Sequence, residues 1–227
     1  VLIVWPSQKF QVIRQPAANQ VLKVKETDAS GSFDHAAFFP VPPALLSPVP
    51  SSEEVGWRHR ENDFVDFNIQ YLIPHELSTH SPRIAVGDVN RDGRPDFYIC
   101  GAKHQPGALM IQQPDGSFKS SDREAFLRNT GDDQVGAVFV DVNNDSFPDL
   151  YVAYGGNEDD DDDLNLMDAL YMNDGKGHFT KSERKLPPLL NNKSCVLAAD
   201  IDHDGDQDIF IGSSANARSY GYPRDSY

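Results

Sequence analysis

Three short acidic segments have the residue types and the spacing of loops that bind a hard cation. Their sequences are DVNRDGRPD at Asp88–Asp96, DVNNDSFPD at Asp141–Asp149 and DIDHDGDQD at Asp200–Asp208, here called loop 1, loop 2 and loop 3. Each has oxygen-bearing side chains at positions 1, 3, 5 and 9 and a Gly or Ser at position 6. Calcium takes about six to eight oxygen ligands, and alternate residues of a short loop can supply most of them. The spacing therefore predicts three calcium loops.

The predicted ligands are the side chains at positions 1, 3, 5 and 9 and the main-chain carbonyl of position 7, with water completing the shell. They are Asp88, Asn90, Asp92, Arg94 and Asp96 in loop 1, Asp141, Asn143, Asp145, Phe147 and Asp149 in loop 2, and Asp200, Asp202, Asp204, Asp206 and Asp208 in loop 3. We expect loop 3, with four carboxylates and Gly205, to bind most tightly. Ser146 replaces glycine in loop 2, where backbone strain of about 1 kcal/mol should weaken binding. A polar turn held by side-chain hydrogen bonds is the alternative for any single copy.

The residues around the loops decide which kind of calcium loop this is. An EF-hand needs a bidentate Glu at position 12, but these loops have Ile99, Val152 and Ile211 there. The segments before the loops are IAVG, AVFV and VLAA, and those after are FYIC, LYVAY and IFIG. Such short apolar runs, rich in β-branched and aromatic residues, indicate buried strands. Each loop is therefore predicted to join two strands.

The pattern after the second strand also repeats. Loop 1 is followed by GALMIQQ, a turn at residues 114–116 and SFKSS, and loop 2 is followed by DALYMND, a turn at residues 175–177 and HFTKS. The loops are 53 and 59 residues apart, and the extra length includes the acidic run Glu158–Asp163. Four-stranded units that repeat at about 50 residues are typical of propeller blades. The predicted fold is all-β, with two full blades and the beginning of a third.

Residues 57–227 resemble the FG-GAP/VCBS repeat family, which is found in the integrin alpha-chain propeller and in large secreted bacterial proteins. The family loop D-x-D/N-x-D-G-x-x-D is matched three times, apart from Ser146. The later motif L-Y-x-N-x-G-x-G-x-F is matched by Leu170, Tyr171, Asn173, Gly175, Gly177 and Phe179. The resemblance implies a calcium-stiffened β-propeller with its ions between strands 1 and 2 of each blade. A closed propeller needs at least four blades, so we expect the remaining blades to come from sequence outside this chain.

The first 56 residues differ from the repeats. Residues 1–27 contain three strand-like runs, VLIVWP, KFQVIRQ and VLKVKE. They resemble the C-terminal end of the ASPIC/UnbV domain, through Trp5, Pro6, Ser7, Gln11, Asn19, Gln20, Leu22, Val24 and Glu26. Residues 28–56 are interrupted by Pro40, Pro42, Pro43, Pro48 and Pro50, which predict an extended linker or strap without a helix. The apolar residues Phe38, Phe39, Val41, Leu45 and Leu46 favour a strap.

Residues 57–82 lead into loop 1. We expect Phe64, Phe67 and Tyr71 to form an aromatic edge that packs the start of the first blade. The spacing of His59, His75 and His80 does not suggest zinc, so these histidines are expected on the surface or in hydrogen bonds. The two cysteines, Cys100 and Cys195, are expected to be buried free thiols rather than a disulfide.

Charge and hydropathy exclude two classes of partner. The formal net charge is −15, and three bound divalent ions would bring it to about −9. Nucleic acid is not expected as a partner, because no cluster of Lys and Arg is present. No segment approaches the roughly 20 apolar residues of a membrane span. The acidic run Glu158–Asp163 is an extra cation or basic-partner site, or a solvated and mobile segment, and the second is the usual role of such runs.

The expected function is that of an extracellular or cell-surface adhesion or recognition module, with a protein or a surface glycan as its partner. Calcium loops without the bidentate Glu resemble weak extracellular modules, with Kd on the order of 10⁻⁴–10⁻³ M. The alternative is part of a secreted polysaccharide-degrading enzyme, a lyase or hydrolase, built on a calcium propeller. Its candidate groups are linked by no recognisable spacing: His104, His178, His203, Arg218, Tyr220, Tyr222 and Arg224. A scaffold without a ligand of its own is a third possibility.

Overall fold

The computed structural model describes residues 1–40, 42, 44–48, 55–79, 81–121, 123–127, 133–160, 163–183, 186–216 and 219–227. The chain divides into two compact units, Val1–Val49 and Pro50–Tyr227. Several residues named in the sequence predictions lie outside the described residues: Val41, Pro43, Pro50, His80, Asp161, Asp162 and Arg218.

The first unit begins with a hairpin of β1 (Leu2–Val4) and β2 (Phe10–Val12), in which Leu2 lies opposite Val12. A 3₁₀ turn (Glu26–Asp28) and a one-turn helix α1 (His35–Phe38) follow. The hairpin confirms the first two predicted strands of this region. The third, at residues 21–26, is wrong, because these residues form no strand with any described part of the chain and Val21 is 88% exposed.

The expectation of no helix at residues 28–56 is also wrong. Helix α1 ends before the prolines begin, and Asp34 caps it by accepting a hydrogen bond from the N–H of Ala36 at 3.0 Å. The helix is held by its aromatic face: Phe38 packs against Phe10 and Phe33, with ring centroids 4.8 Å and 5.4 Å apart. Proline excludes a helix only where it would stand inside one.

The second unit contains the predicted four-stranded units. Blade 1 consists of β3 (Ile84–Gly87), β4 (Asp96–Ile99), β5 (Ala108–Gln112) and β6 (Phe118–Ser121). Blade 2 consists of β7 (Asp133–Val140), β8 (Asp149–Gly155), β9 (Ala169–Asn173) and β10 (Phe179–Lys181), and a one-turn helix α2 (Arg123–Phe126) precedes it. Blade 3 is the pair β11 (Lys193–Ala199) and β12 (Asp208–Ser213). Each sheet is antiparallel with its strands in chain order, which confirms the all-β prediction.

The blades pack through the alternation of side chains along each strand. In β7, Ala137 and Phe139 face the core shared with blade 1, whereas Val138 and Val140 face the core shared with blade 3. Buried aromatic residues dominate the first core, where Phe126 of α2 lies 5.0 Å from the ring of Tyr171. Both faces of blade 2 are therefore covered, one by the core shared with blade 1 and the other by the core shared with blade 3.

The cross-segment, as we call the described residues between 57 and 83, passes over the blade ends that lie away from loops 1 and 2. It bonds to the connections that follow β4 and β8: the N–H of Arg60 donates to Gln105 Oε1 at 2.8 Å, and Asn62 Nδ2 donates to Glu158 Oε2 at 2.8 Å. Ser81 Oγ donates to the carbonyl of Gln134 at 3.0 Å, at the start of β7. The cross-segment therefore joins blade 1 to blade 2.

The expected aromatic edge of this segment is wrong. Tyr71 is 81% exposed and Phe67 is also exposed, whereas Phe64 is half-buried; the fully buried apolar residues are Ile73 and Leu77 instead. The 3₁₀ turn Asp66–Asn68 turns the carboxylate of Asp66 into the protein, which leaves the neighbouring rings on the outside.

The two cysteines are free, as predicted, but only Cys100 is buried; Cys195 is exposed on the outer side of β11, which corrects the expectation for that thiol. Neither helix among the described residues is long and apolar enough to cross a membrane.

Candidate metal centre

The three loops share one hydrogen-bonding pattern, built on the carboxylate at position 1. In loop 1, Asp88 accepts the N–H groups of Asp92 at 3.1 Å and Gly93 at 2.8 Å. In loop 2, Asp141 likewise accepts backbone N–H groups, one of which is that of Ser146 at 2.7 Å. In loop 3, Asp200 accepts the N–H of Gly205 at 3.2 Å. The first carboxylate thus closes each loop on itself.

Two positions of each loop have a left-handed backbone. Position 6 has φ of +82° at Gly93, +72° at Ser146 and +98° at Gly205, so Ser146 carries the strain that the sequence predicts. Position 4 is also left-handed, with φ of +56° to +63° at Arg91, Asn144 and His203, which the sequence did not suggest. The left-handed residues flank position 5 and turn the chain sharply around it.

The position 9 carboxylates of loops 1 and 2 are fully buried. Asp96 accepts the N–H groups of Val89 at 3.1 Å and Gln112 at 2.8 Å, and so ties its loop to the third strand of the blade. Asp149 does the same with Val142 and Asn173, at 3.3 Å and 2.7 Å. Burial raises the pKa of both carboxyl groups, against the lowering effect of these backbone hydrogen bonds; repulsion from the loop's other aspartates adds to the rise. Position 9 therefore has a structural role in addition to any ligand role.

Loop 3 brings three carboxylates together. One oxygen each from Asp200, Asp202 and Asp208 lies within 4.8 Å of the other two, the single such acidic group among the described residues. Asp200 Oδ1 is buried and accepts no hydrogen bond from the described residues. Asp204 lies outside this group, and its Oδ1 accepts the N–H of Asp206 at 2.9 Å. Carboxylate oxygens without a donor are the ligands that hard cations prefer, so the donor set of loop 3 fits calcium.

Loops 1 and 2 have asparagine at position 3, and its amide donates to the position 5 carboxylate. The distances are 3.0 Å from Asn90 to Asp92 and 2.8 Å from Asn143 to Asp145. In loop 1 the guanidinium of Arg94 also donates to Asp92. These oxygen sets fit the same cation, but a cation in loop 1 has to compete with Arg94 for Asp92. The position 7 carbonyls stay predicted ligands.

The family model for the FG-GAP-like repeat matches residues 88–152 and residues 141–211. Together the matches run from the first residue of loop 1 into β12 and cover more than half of the chain. The chain belongs to the FG-GAP-like repeat family. No curated protein sequence matches it significantly. The likenesses to VCBS repeats and to the ASPIC/UnbV domain stay predictions.

Successive FG-GAP-like repeats are also joined through their loops, which the sequence reasoning missed. The guanidinium of Arg91, at position 4 of loop 1, donates to the carbonyl of Ser146 and lies over the ring of Phe147, 4.7 Å from its centroid. Asn144, at position 4 of loop 2, donates from Nδ2 to Asp206 Oδ1 at 3.0 Å. The one signal in the sequence is that position 4 is polar in all three loops.

The acidic run in the second FG-GAP-like repeat is bonded at both of its ends, so its interpretation as a solvated, mobile segment is wrong there. Lys103 Nζ lies 2.7 Å from Asp159 and 3.4 Å from Glu158, whose side chain is 5% exposed. Asp163 caps the 3₁₀ turn Leu164–Leu166 by accepting the N–H of Asn165 at 2.8 Å. Glu158, Asp159 and Asp163 therefore act as part of the structure at the blade ends.

Next to it lies a buried carboxylate that the sequence reasoning also missed. Asp66 of the cross-segment accepts hydrogen bonds from Ser78 Oγ at 2.6 Å and Asn157 Nδ2 at 2.7 Å, and it is fully buried. Burial alone would raise its pKa, but the bonds from Ser78 and Asn157 outweigh burial, and the pKa of Asp66 is lowered. Asp66 is therefore held as a charged anchor between the cross-segment and blade 2.

Blades 2 and 3 are joined by a buried ion pair. Lys193 Nζ lies 3.1 Å from Asp168 Oδ1 and donates to the carbonyl of Leu166 at 2.6 Å. Asp168 also accepts the hydroxyl of Tyr151 at 2.7 Å and the N–H of Tyr154 at 2.9 Å. No local sequence pattern marks this pair, because its members are 25 residues apart.

The candidate groups of the enzymatic alternative are exposed where the structure describes them: His104, His178, His203, Tyr220, Tyr222 and Arg224. His178 lies 3.3 Å from Asp174, four residues earlier in the same turn. His59 lies 2.5 Å from Glu61, in agreement with the predicted hydrogen-bonding role, and His75 is exposed.

Proposed function

We propose that this chain is the calcium-binding part of an extracellular β-propeller and that it serves adhesion or the recognition of a protein or a surface glycan. The observation that carries the proposal is the convergence of Asp200, Asp202 and Asp208 within 4.8 Å in loop 3. Like charges at such distances repel one another, and a divalent cation among them would replace repulsion with attraction. Calcium suits an all-oxygen donor set better than the softer transition metals do.

The role of calcium in this proposal is structural. Each loop joins the first two strands of a blade, and the position 9 carboxylates Asp96 and Asp149 extend the connection to the third strand. A cation that holds positions 1, 3 and 5 would fix the strands that the loop connects. Because the cation would bind the folded loop in preference to the unfolded chain, stability would rise by about 2.7 kcal/mol at a calcium concentration 100 times Kd.

The extracellular location in this proposal is supported by the weak calcium binding that we expect of loops 1 and 2. At positions 1, 3, 5 and 9, loops 1 and 2 each have one fewer carboxylate than loop 3. In addition, Arg94 competes for Asp92, and Ser146 is strained. Each feature would weaken calcium binding and move its Kd toward about 10⁻⁴–10⁻³ M. Calcium sites in this range fill outside cells and stay empty in the cytosol.

Recognition is assigned to the loops because the blades themselves are filled by their own cores. Binding residues are commonly placed on loops that a rigid scaffold positions. The remaining blades of the propeller would come from sequence outside this chain, and the recognition surface would span blades from both parts.

The calcium proposal is tested by calorimetric titration of the chelator-treated protein, with thermal unfolding measured in parallel. We expect two or three binding events, a Tm that rises with calcium, and loss of the tightest event in Asp202→Asn. The matched control is Asp63→Asn, which changes an exposed aspartate outside the loops. Absence of binding at millimolar calcium, with an unchanged Tm, would refute the proposal.

The recognition part needs its own experiment. Labelled full-length protein is applied to a glycan array and to an array of cell-surface proteins, in calcium and again in chelator. The proposal expects selective retention that calcium strengthens. If the protein is retained on neither array in the presence of calcium, the recognition role is contradicted. The calcium-binding proposal is not affected by that result.

A further inference from the structure

We propose that the side chain at position 4 of each loop couples that loop to the next one, so that filling one loop with calcium raises the affinity of its neighbour. The inference rests on the proposed calcium binding and concerns its regulation. It is carried by two contacts between consecutive loops and by the backbone conformation of the residues that make them.

The two contacts start from the same position of the repeat, position 4. Arg91 of loop 1 reaches Ser146 and Phe147, which are positions 6 and 7 of loop 2. Asn144 of loop 2 reaches Asp206, which is position 7 of loop 3, at 3.0 Å. Arg91 donates to a main-chain carbonyl and Asn144 to a side-chain carboxylate, but both contacts run from position 4 of one loop to position 6 or 7 of the next. The recurrence indicates a property of the repeat geometry rather than of one side chain.

The backbone explains why position 4 can reach outward. Arg91 and Asn144 have φ of +56° and +58°, and the residues on either side of them, positions 3 and 5, supply the predicted ligands. A cation that holds positions 3 and 5 would also hold position 4 between them. The direction in which Arg91 and Asn144 point thus depends on the closure of their own loop.

The residues that Arg91 contacts in loop 2 lie in the part of that loop that would bind a cation. The carbonyl of Phe147 is a predicted ligand, and the peptide bond beside it belongs to Ser146, whose backbone is strained. The Phe147 ring is clamped between Arg91 and the turn at Gly175, where a Cβ atom would lie only 2.7 Å from the ring. By holding this corner, Arg91 would prepare loop 2 for its cation.

A contact that only stabilises the folded protein would not couple the loops, so the test must read each loop separately. The backbone amides of Gly93, Ser146 and Gly205 occupy position 6 of the three loops. Their signals in two-dimensional ¹H–¹⁵N NMR spectra, followed during calcium titration of the chelator-treated protein, report one loop each. Coupling between sites is reciprocal, so filling either loop should favour the other by the same factor.

The experiment is a double-mutant cycle with Asp88→Asn, which weakens loop 1, and Arg91→Ala. In the parent protein, Asp88→Asn should lower the calcium affinity of loop 2, read at Ser146, about fivefold or more, in the range of ordinary couplings. In the Arg91→Ala background the same change should leave loop 2 unaffected. Asn144→Ala should in the same way uncouple loop 3 from loop 2. The matched control is His203→Ala, because no following loop lies within the described residues for position 4 of loop 3 to reach.

The outcomes separate this inference from the proposal on which it rests. If Asp88→Asn lowers the affinity of loop 2 equally with and without Arg91, or not at all, the coupling is refuted while calcium binding stands. If none of the three amide signals responds to calcium, the calcium proposal itself fails. Protection of the β8 amides from hydrogen exchange in chelator shows that each variant is folded, and Arg91→Met, which removes the charge and the donor but keeps the side-chain length, replaces Arg91→Ala if it is not.

Discussion

The buried ion pair between blades 2 and 3 makes a large and specific prediction for Lys193→Met. The ammonium group of Lys193 is completely buried and lies 3.1 Å from Asp168, whose side chain is 2% exposed. It also donates to the carbonyls of Leu166, Tyr154 and Asn191. Methionine preserves the volume and removes the charge, so Asp168 is left as an uncompensated buried carboxylate.

The expected loss follows from that geometry. Removing one partner of a buried ion pair costs about 3–5 kcal/mol. In a unit of this size 1 kcal/mol corresponds to roughly 2–4 °C, so Tm should fall by about 6–20 °C. The assay is urea unfolding at fixed calcium, followed by circular dichroism. The control Lys176→Met removes an exposed lysine from a turn of blade 2 and should change stability by less than about 0.5 kcal/mol.

The pH dependence provides a second check on the same variant. Burial raises the pKa of Asp168, and Lys193 opposes the rise, so the pKa should rise further in Lys193→Met. A carboxyl group whose pKa is raised by folding favours the folded state at low pH, and this advantage is lost as the pH rises. The deficit of Lys193→Met should therefore shrink as the pH falls from 7 towards 4, and Asp168→Asn in the same background should recover part of it. A loss below about 1 kcal/mol, or a deficit independent of pH, would refute the reasoning.

Three further predictions concern other parts of the fold. In the native protein a thiol reagent should modify Cys195 and spare Cys100, whose pKa burial raises to about 12; two modified thiols without urea would contradict this. Asp66→Asn should cost about 1.5–3 kcal/mol at pH 7 in urea unfolding. Because folding lowers the pKa of Asp66, that difference should shrink as the pH falls below 3.8, and a constant difference would exclude a charged anchor. In chelator, Gly205→Ser should destabilise by about 1 kcal/mol and Ser146→Gly should not destabilise, because both positions have positive φ; equal losses would count against backbone strain.

The loops and blades could be predicted from the sequence because their signals are local. A ligand spacing of nine residues and apolar runs of four to seven residues lie within one loop or one strand. The third strand, predicted at residues 21–26 and not formed, has the same local pattern. A strand also needs a neighbouring strand to pair with, and the sequence of the run does not show whether one is available.

The contacts that hold the blades together could not be predicted in this way. Lys193 begins an apolar strand, and nothing near it in the sequence identifies Asp168 as its partner. Glu158 belongs to a run whose composition predicts solvent exposure, yet Lys103 and Asn62 bury it. The coupling residues at position 4 are recognisable only when two loops are seen side by side. Pairings of this kind depend on the tertiary fold.

The contacts of the cross-segment constrain the order in which parts of the protein can fold during synthesis. Its bonds from Asn62 to Glu158 and from Asp66 to Asn157 span 96 and 91 residues. At about 5–20 residues per second, a ribosome needs roughly 5–20 s to complete the partners of this segment. Until then the carboxylate of Asp66, which is fully buried in the finished fold, lacks the hydrogen bond from Asn157. The segment that is made before the blades therefore completes its docking only after β8 of blade 2 has been made.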